Sequence, residues 1–188
     1  MAKYVGLMRG INVGGNRKIK MADLRPVVAK AGFSDVQTYV QSGNIVFSGD
    51  AAPCTEIEKT LEAACEKAFG FHTEIMVRDE ATFRAEASAC PYVDGELNPK
   101  AGLEGKFLHV AYLSHAPNKA KVDTLLEAYG GPEDITLIGN TLYIYYHEGS
   151  GRSDFSKYLT EKKLGASPTS RNWNTVQKLL AMLDAQAG

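Results

Sequence analysis

Asp35-Val36-Gln37-Thr38-Tyr39-Val40-Gln41-Ser42-Gly43-Asn44-Ile45-Val46-Phe47 sets the topology expected of everything around it. Residues 35–41 alternate at period 2 and are rich in β-branched and aromatic side chains, the pattern of a half-buried strand. Ser42-Gly43-Asn44 interrupts the run and Ile45-Val46-Phe47 resumes it. A two-residue Gly43-Asn44 loop of type II′, with Gly where φ must be positive, makes this a hairpin. On its N-terminal side, Leu24, Val27, Val28 and Ala31 recur at i, i+3, i+4 and i+7, so 21–31 reads as a helix stopped by Gly32. Pro26 fits that helix only in its first turn. Tyr4-Val5-Gly6-Leu7-Met8 is a buried strand before it. On the other side Pro53 opens a helix with Ile57, Leu61, Ala64, Cys65, Ala68 and Phe69 on its buried stripe, and Thr73 to Val77 is a fourth strand. The order β-α-β-β-α-β is the split, ferredoxin-like pattern.

The pattern returns further on. Phe107–Leu113 is an apolar strand, Lys121–Tyr129 a helix, Ile135–Ile138 and Leu142–His147 two strands about a Gly139-Asn140 turn, and Ser153–Leu164 a helix. No fourth strand is evident after it. Val176, Leu179, Leu180 and Leu183 instead mark a terminal helix, capped by Asn172 or Asn174. The expected fold is α+β: two ferredoxin-like halves related by internal duplication, antiparallel sheets with helices on one face, and an extra C-terminal helix. The expected divisions are 1–79, an irregular 80–105 linker with a short helix and rich in Pro, Gly, Asn and Asp, and 106–188.

Composition narrows the class. With 188 residues, 44% hydrophobic and 23% charged, the chain can bury a core of its own. No apolar run reaches the ~20 residues of a membrane span, and Met-Ala-Lys-Tyr-Val lacks the features of a signal peptide. Cys54, Cys65 and Cys90 form no CxxC pair, so no disulfide framework or zinc knuckle is expected, and Cys65 is a packing residue. A cytoplasmic protein with reduced thiols and no membrane association is the expectation. The net charge of −1 hides an asymmetry: residues 9–25 and 152–178 each sum to +4, leaving −9 on the remainder. Two basic segments suggest an anionic partner if they converge in space, and are two solvated surfaces if they do not.

The first basic segment contains Arg9-Gly10-Ile11-Asn12-Val13-Gly14-Gly15-Asn16-Arg17-Lys18, a glycine-rich loop between a strand and a helix. Gly14 and Gly15 let backbone N–H groups approach an oxyanion, while Arg9 adds charge and Asn12 a neutral donor. The register fits neither GxxxxGK[ST] nor GxGxxG. Ser42 and Asn44 are turn residues that are candidates for the same site. In the second half, Arg152 beside the cap Ser153 offers another anion position at a helix start. Arg171, Asn172, Trp173 and Asn174 combine guanidinium, amide and indole chemistry suited to phosphate, sugar or base, although Trp173 equally suits an anchor and Asn172 a cap. His72, His109, His115 and His147 show no ligand spacing, and neither a catalytic pair nor a metal or cofactor is called for.

Taken together, Leu7-Met8-Arg9-Gly10-Ile11-Asn12-Val13-Gly14-Gly15, Tyr39-Val40-Gln41-Ser42-Gly43-Asn44-Ile45-Val46-Phe47, Gly151-Arg152-Ser153 and Thr169-Ser170-Arg171-Asn172-Trp173-Asn174-Thr175-Val176 resemble the signature of a bacterial family of unknown function. The likeness runs in order along nearly the full chain and departs at Pro26. It implies a compact two-part α+β protein and brings no activity with it. Three functions are open to such a chain. The first is binding of a phosphorylated or anionic ligand, a nucleotide or nucleic acid, between the halves. The second is a small hydrolase of phosphate esters or acyl phosphates, since an Arg- and Asn-bearing first loop on a ferredoxin-like unit looks like acylphosphatase in layout. The third is an interaction module or homodimer joined through open sheet edges.

Overall fold

The computed structural model describes residues 1–186. It divides into two units: residues 1–85 with 178–186, and residues 86–177.

The first unit runs β1 (Ala2–Met8), α1 (Met21–Lys30), β2 (Ser34–Tyr39), β3 (Asn44–Gly49), α2 (Cys54–Phe69), β4 (Ile75–Asp79) and α3 (Glu80–Ser88), the last crossing into the second unit. Its antiparallel sheet has the order β2-β3-β1-β4, with Gly6 opposite Ile45 on one side and Val77 on the other. Tyr4, Met8, Ile45, Phe47, Ile75 and Val77 pack on the stripes Leu24/Val28 and Ile57/Leu61/Cys65 of the two helices. Each such fully buried aliphatic or aromatic side chain contributes roughly 1.5–3 kcal/mol of hydrophobic stabilisation. Pro26 is the sixth residue of α1, not in its first turn. It is exposed, as is Ala22, so the carbonyl left without its intrahelical donor faces water.

Edge strand β4 is closed by α2. Glu62 Oε1 accepts from Ile75 N and Glu58 Oε1 from Val77 N, both at 2.9 Å, so these amides are taken by helix carboxylates. Helix geometry puts residues 58 and 62 one turn apart, and strand geometry puts 75 and 77 on one side of the chain, so both bonds form together.

The second unit repeats the topology with β5 (Leu108–Leu113), α4 (Lys119–Tyr129), β6 (Asp134–Ile138), β7 (Thr141–Tyr145), a 3-10 turn (Asp154–Lys157), α5 (Glu161–Leu164) and β8 (Pro168–Asn172), followed by α6 (Trp173–Ala185). Its order, β6-β7-β5-β8, is that of the first sheet. Even the pairings correspond: Val5 faces Arg78 in one sheet and Val110 faces Arg171 in the other. This recurrence is what duplication of one unit produces.

Three local expectations change. The β2–β3 connection is four residues, Val40–Gly43, and Asn44 belongs to β3 opposite Tyr39. The helix expected over 153–164 breaks into the 3-10 turn and one short α-turn. A fourth strand does exist in the second half. β8 went unread because Pro-Thr-Ser-Arg-Asn has no apolar alternation; it takes its order from apolar β5, and Pro168 is tolerated at the start of an edge strand.

Candidate functional site

The first two signature stretches meet in the first unit. Asn12 is the clasp. Its Nδ2 donates to Ile19 O at 2.9 Å and to Gln41 O at 2.7 Å, while its Oδ1 accepts from Ile19 N at 2.9 Å. Its own N–H donates to Arg17 O at 3.2 Å, and its φ of 55° is one that Asn accepts more readily than most residues. Met8 N donates to Gly43 O at 2.9 Å, and a Cβ on Gly43 would stand 2.7 Å from both Ile11 Cδ1 and Met8 Cβ. Only glycine lets the two loops approach this closely. Asn44, fully buried, donates through Nδ2 to Tyr39 O at 2.9 Å and Ser42 Oγ at 3.0 Å.

From this clasp the chain projects as a small hairpin. Val13 and Asn16 form a bridge, and Gly14 and Gly15, at φ of 61° and 80°, are the turn. Nothing lies within 4 Å of where a Cβ on either would be, and Val13 is 70% exposed. Arg17, Lys18 and Lys20 follow, all exposed, and none has a carboxylate partner among the described residues. Arg9 differs. Its Nη1 is ion-paired with Glu74 Oε2, its N–H donates to Glu74 O at 2.9 Å, and Thr73 Oγ1 donates to its carbonyl at 2.8 Å.

In the second unit the third and fourth signature stretches have different surroundings. Ser153 Oγ accepts from Phe155 N at 3.0 Å and caps the 3-10 turn, too short to present a helix dipole to an anion beside Arg152. Arg152 is exposed and lines a cavity with Tyr129, Glu133, Glu148 and Tyr158. Arg171 is buried, with Nη1 donating to Thr169 Oγ1 at 2.9 Å and Ser170 O at 2.8 Å, and burial lowers its pKa to about 10. Trp173 is fully buried and donates from Nε1 to Leu97 O at 2.8 Å. Asn172 Oδ1 accepts from Thr175 N at 3.0 Å and Thr175 Oγ1 at 2.9 Å, which caps α6; Asn174 is exposed.

Arg9, Asn12, Gly14, Gly15, Ser42 and Asn44 therefore share one loop cluster of the first unit. Arg152 stands apart in sequence and setting from the β8–α6 group of Arg171, Asn172, Trp173 and Asn174. Glu133 and Tyr129, whose side chains bond to each other at 2.6 Å, belong to no motif in the sequence, and only folding brings them together. Among the described residues no group of three His, Cys, Asp or Glu is arranged to hold a metal ion, and no helix is long and apolar enough to cross a membrane.

No curated protein matches the chain. A solved structure of a conserved bacterial protein from Streptococcus pneumoniae is similar to it, with a TM-score of 0.72, 24% sequence identity, and coverage of 97% of this chain and 98% of that one. That likeness shows a shared fold. At the level of sequence, residues 1–143 match a family model, a span that ends before Gly151. On that match the chain belongs to the family described as protein of unknown function DUF1697.

Proposed function

We propose that the protein binds a phosphorylated polyanion, the backbone of a nucleic acid, through the hairpin at Val13–Asn16 and the basic residues 17–20 that follow it. The observation that carries the reading is the set of three exposed cations, Arg17, Lys18 and Lys20, without carboxylate partners among the described residues, directly after a hairpin whose base is locked by Asn12. Fixed cations pay less ordering entropy on binding than cations on a mobile loop. Gly14 and Gly15 leave the tip backbone open to a phosphate oxygen. A polymer suits this surface, because the three cations are exposed and close together along the chain, the spacing that successive phosphates can meet. Arg9 would support the site by fixing the loop's base through Glu74.

The test is binding of a single-stranded oligonucleotide at two salt concentrations. Affinity should fall as salt rises, and each of Arg17→Ala, Lys18→Ala and Lys20→Ala should reduce the log–log salt slope by about 0.7. Absence of binding at low salt, or a triple variant that binds like the parent, would overturn the proposal.

A further inference from the structure

The second unit contains a cavity of about 320 Å³ walled by Tyr129, Glu133, Glu148, Arg152 and Tyr158. That volume is at the lower end for small-molecule sites, enough for a metabolite of few heavy atoms. Its charges are unusual for their surroundings. Glu133 accepts from Tyr129 Oη at 2.6 Å and is hydrogen-bonded by Ser153. Burial works to raise its pKa, but these two hydroxyls together with the nearby His147 outweigh that and leave it lowered, so Glu133 is ionised near neutrality. Asp154, also on the wall, is paired with Lys157 Nζ at 2.6 Å. Glu148 and Arg152 line the same cavity with opposite charges, yet neither has an ion-pair partner among the described residues, including each other.

We propose that this cavity binds a small zwitterion of α-amino-acid chemistry, its ammonium between Glu133 and Glu148 and its carboxylate on Arg152. Opposite charges that line one concave site without pairing match a ligand carrying both charges a few bonds apart. Arg152 presents the planar donor fork that suits a carboxylate. The ring of Tyr158 is one wall; it stacks on Phe155 at 6.0 Å between centroids, meets Tyr129 at 4.9 Å and carries Lys163 Nζ 3.7 Å from its centroid, so it is held in place by its neighbours and leaves recognition of the ammonium to Glu133 and Glu148. A polyanion is disfavoured here, because three carboxylates line the cavity against one guanidinium. The site is independent of the hairpin proposed above.

Isothermal titration calorimetry on the full chain tests the assignment, with the free α-amino acids as probes, each beside its N-acetyl and methyl-ester derivative. At least one free amino acid is expected to bind with a Kd below about 1 mM, and each derivative, lacking one charge, to bind about tenfold more weakly. Arg152→Gln should weaken the free amino acid and leave its methyl ester unchanged. Glu133→Gln should weaken the free amino acid and leave its N-acetyl derivative unchanged. Both substitutions preserve shape, and a melting curve checks folding. No binding of any free amino acid at about 10 mM, derivatives that bind as tightly as their parents, or unchanged affinity in Arg152→Gln would overturn it.

Discussion

Asn12→Ala separates an architectural Asn12 from one that serves only as a ligand donor. The substitution removes three side-chain hydrogen bonds, to Ile19 O, Ile19 N and Gln41 O. At about 1 kcal/mol net for each, the loss reaches roughly 3 kcal/mol, reduced to about 2 because Asn12 is only half-buried and water can replace part of what is lost. A further ~1 kcal/mol arises because alanine is poorly suited to a φ of 55°. The total is about 3 kcal/mol. Asn12→Gly lacks the same bonds but accepts the backbone, so it should lose about 1 kcal/mol less, offset in part by glycine's greater unfolded-state freedom. Urea denaturation gives the global change, and hydrogen exchange at the Ile19 amide reports the clasp directly, because that proton lies on Asn12 Oδ1. Oligonucleotide affinity should fall with it, as Arg17, Lys18 and Lys20 lose their fixed base. Destabilisation under about 1 kcal/mol with Ile19 protection intact would refute the clasp.

Val40 sits at φ 48° while 48% exposed, a backbone state that a β-branched residue tolerates badly. Val40→Gly should therefore stabilise the protein by about 1 kcal/mol, read as a shifted denaturation midpoint. Glu58→Ala strips the acceptor from Val77 N and should cost about 1 kcal/mol, whereas Glu58→Gln retains an acceptor. Burial raises the Glu58 pKa against the lowering pull of the Val77 amide and Arg78. The native state thus holds this proton more tightly than an unfolded chain titrating near 4.5, and the Glu58 contribution to stability declines as pH rises from there through the folded pKa. The stability of Glu58→Gln relative to the parent should accordingly increase over that window and be flat above it. Burial pushes the Cys65 and Cys90 thiols up to about 11, so neither should react with a disulfide reagent at neutral pH until denaturant is added; mass spectrometry of the labelled peptides resolves the three cysteines.

Much of this architecture is local in origin and hence legible in the chain. The stripes of α1 and α2, the apolar runs of β1 and β5, and the Gly139-Asn140 turn follow from side-chain periodicity and backbone preference, which act between near neighbours in sequence. The β-α-β-β-α-β order of the first unit follows from their succession. Strand β8 and the break within 153–164 are of another kind. One is polar and acquires its structure by pairing with β5; the other keeps a helical pattern while Phe155 and Leu164 are drawn into a core with Ala111 and Ile144. Long-range pairing and burial overrode local preference in both.

The candidate sites divide along the same line. Composition alone identified the basic, glycine-rich character of residues 9–18, because charge and the absence of a Cβ belong to the residues themselves. Which of those groups face solvent was a tertiary matter. Asn12, Asn44, Asn172 and Trp173 have the chemistry of ligand contacts, but their polar atoms bond backbone groups or neighbouring hydroxyls inside their own units. Arg17, Lys18 and Lys20 were left facing water. Glu133 illustrates the converse: nothing in Gly-Pro-Glu distinguishes it until folding brings Tyr129 and Ser153 to the same carboxylate. Residue types and periods fix the elements and the chemical inventory; the three-dimensional partners of each polar atom decide which part of that inventory remains available to a ligand.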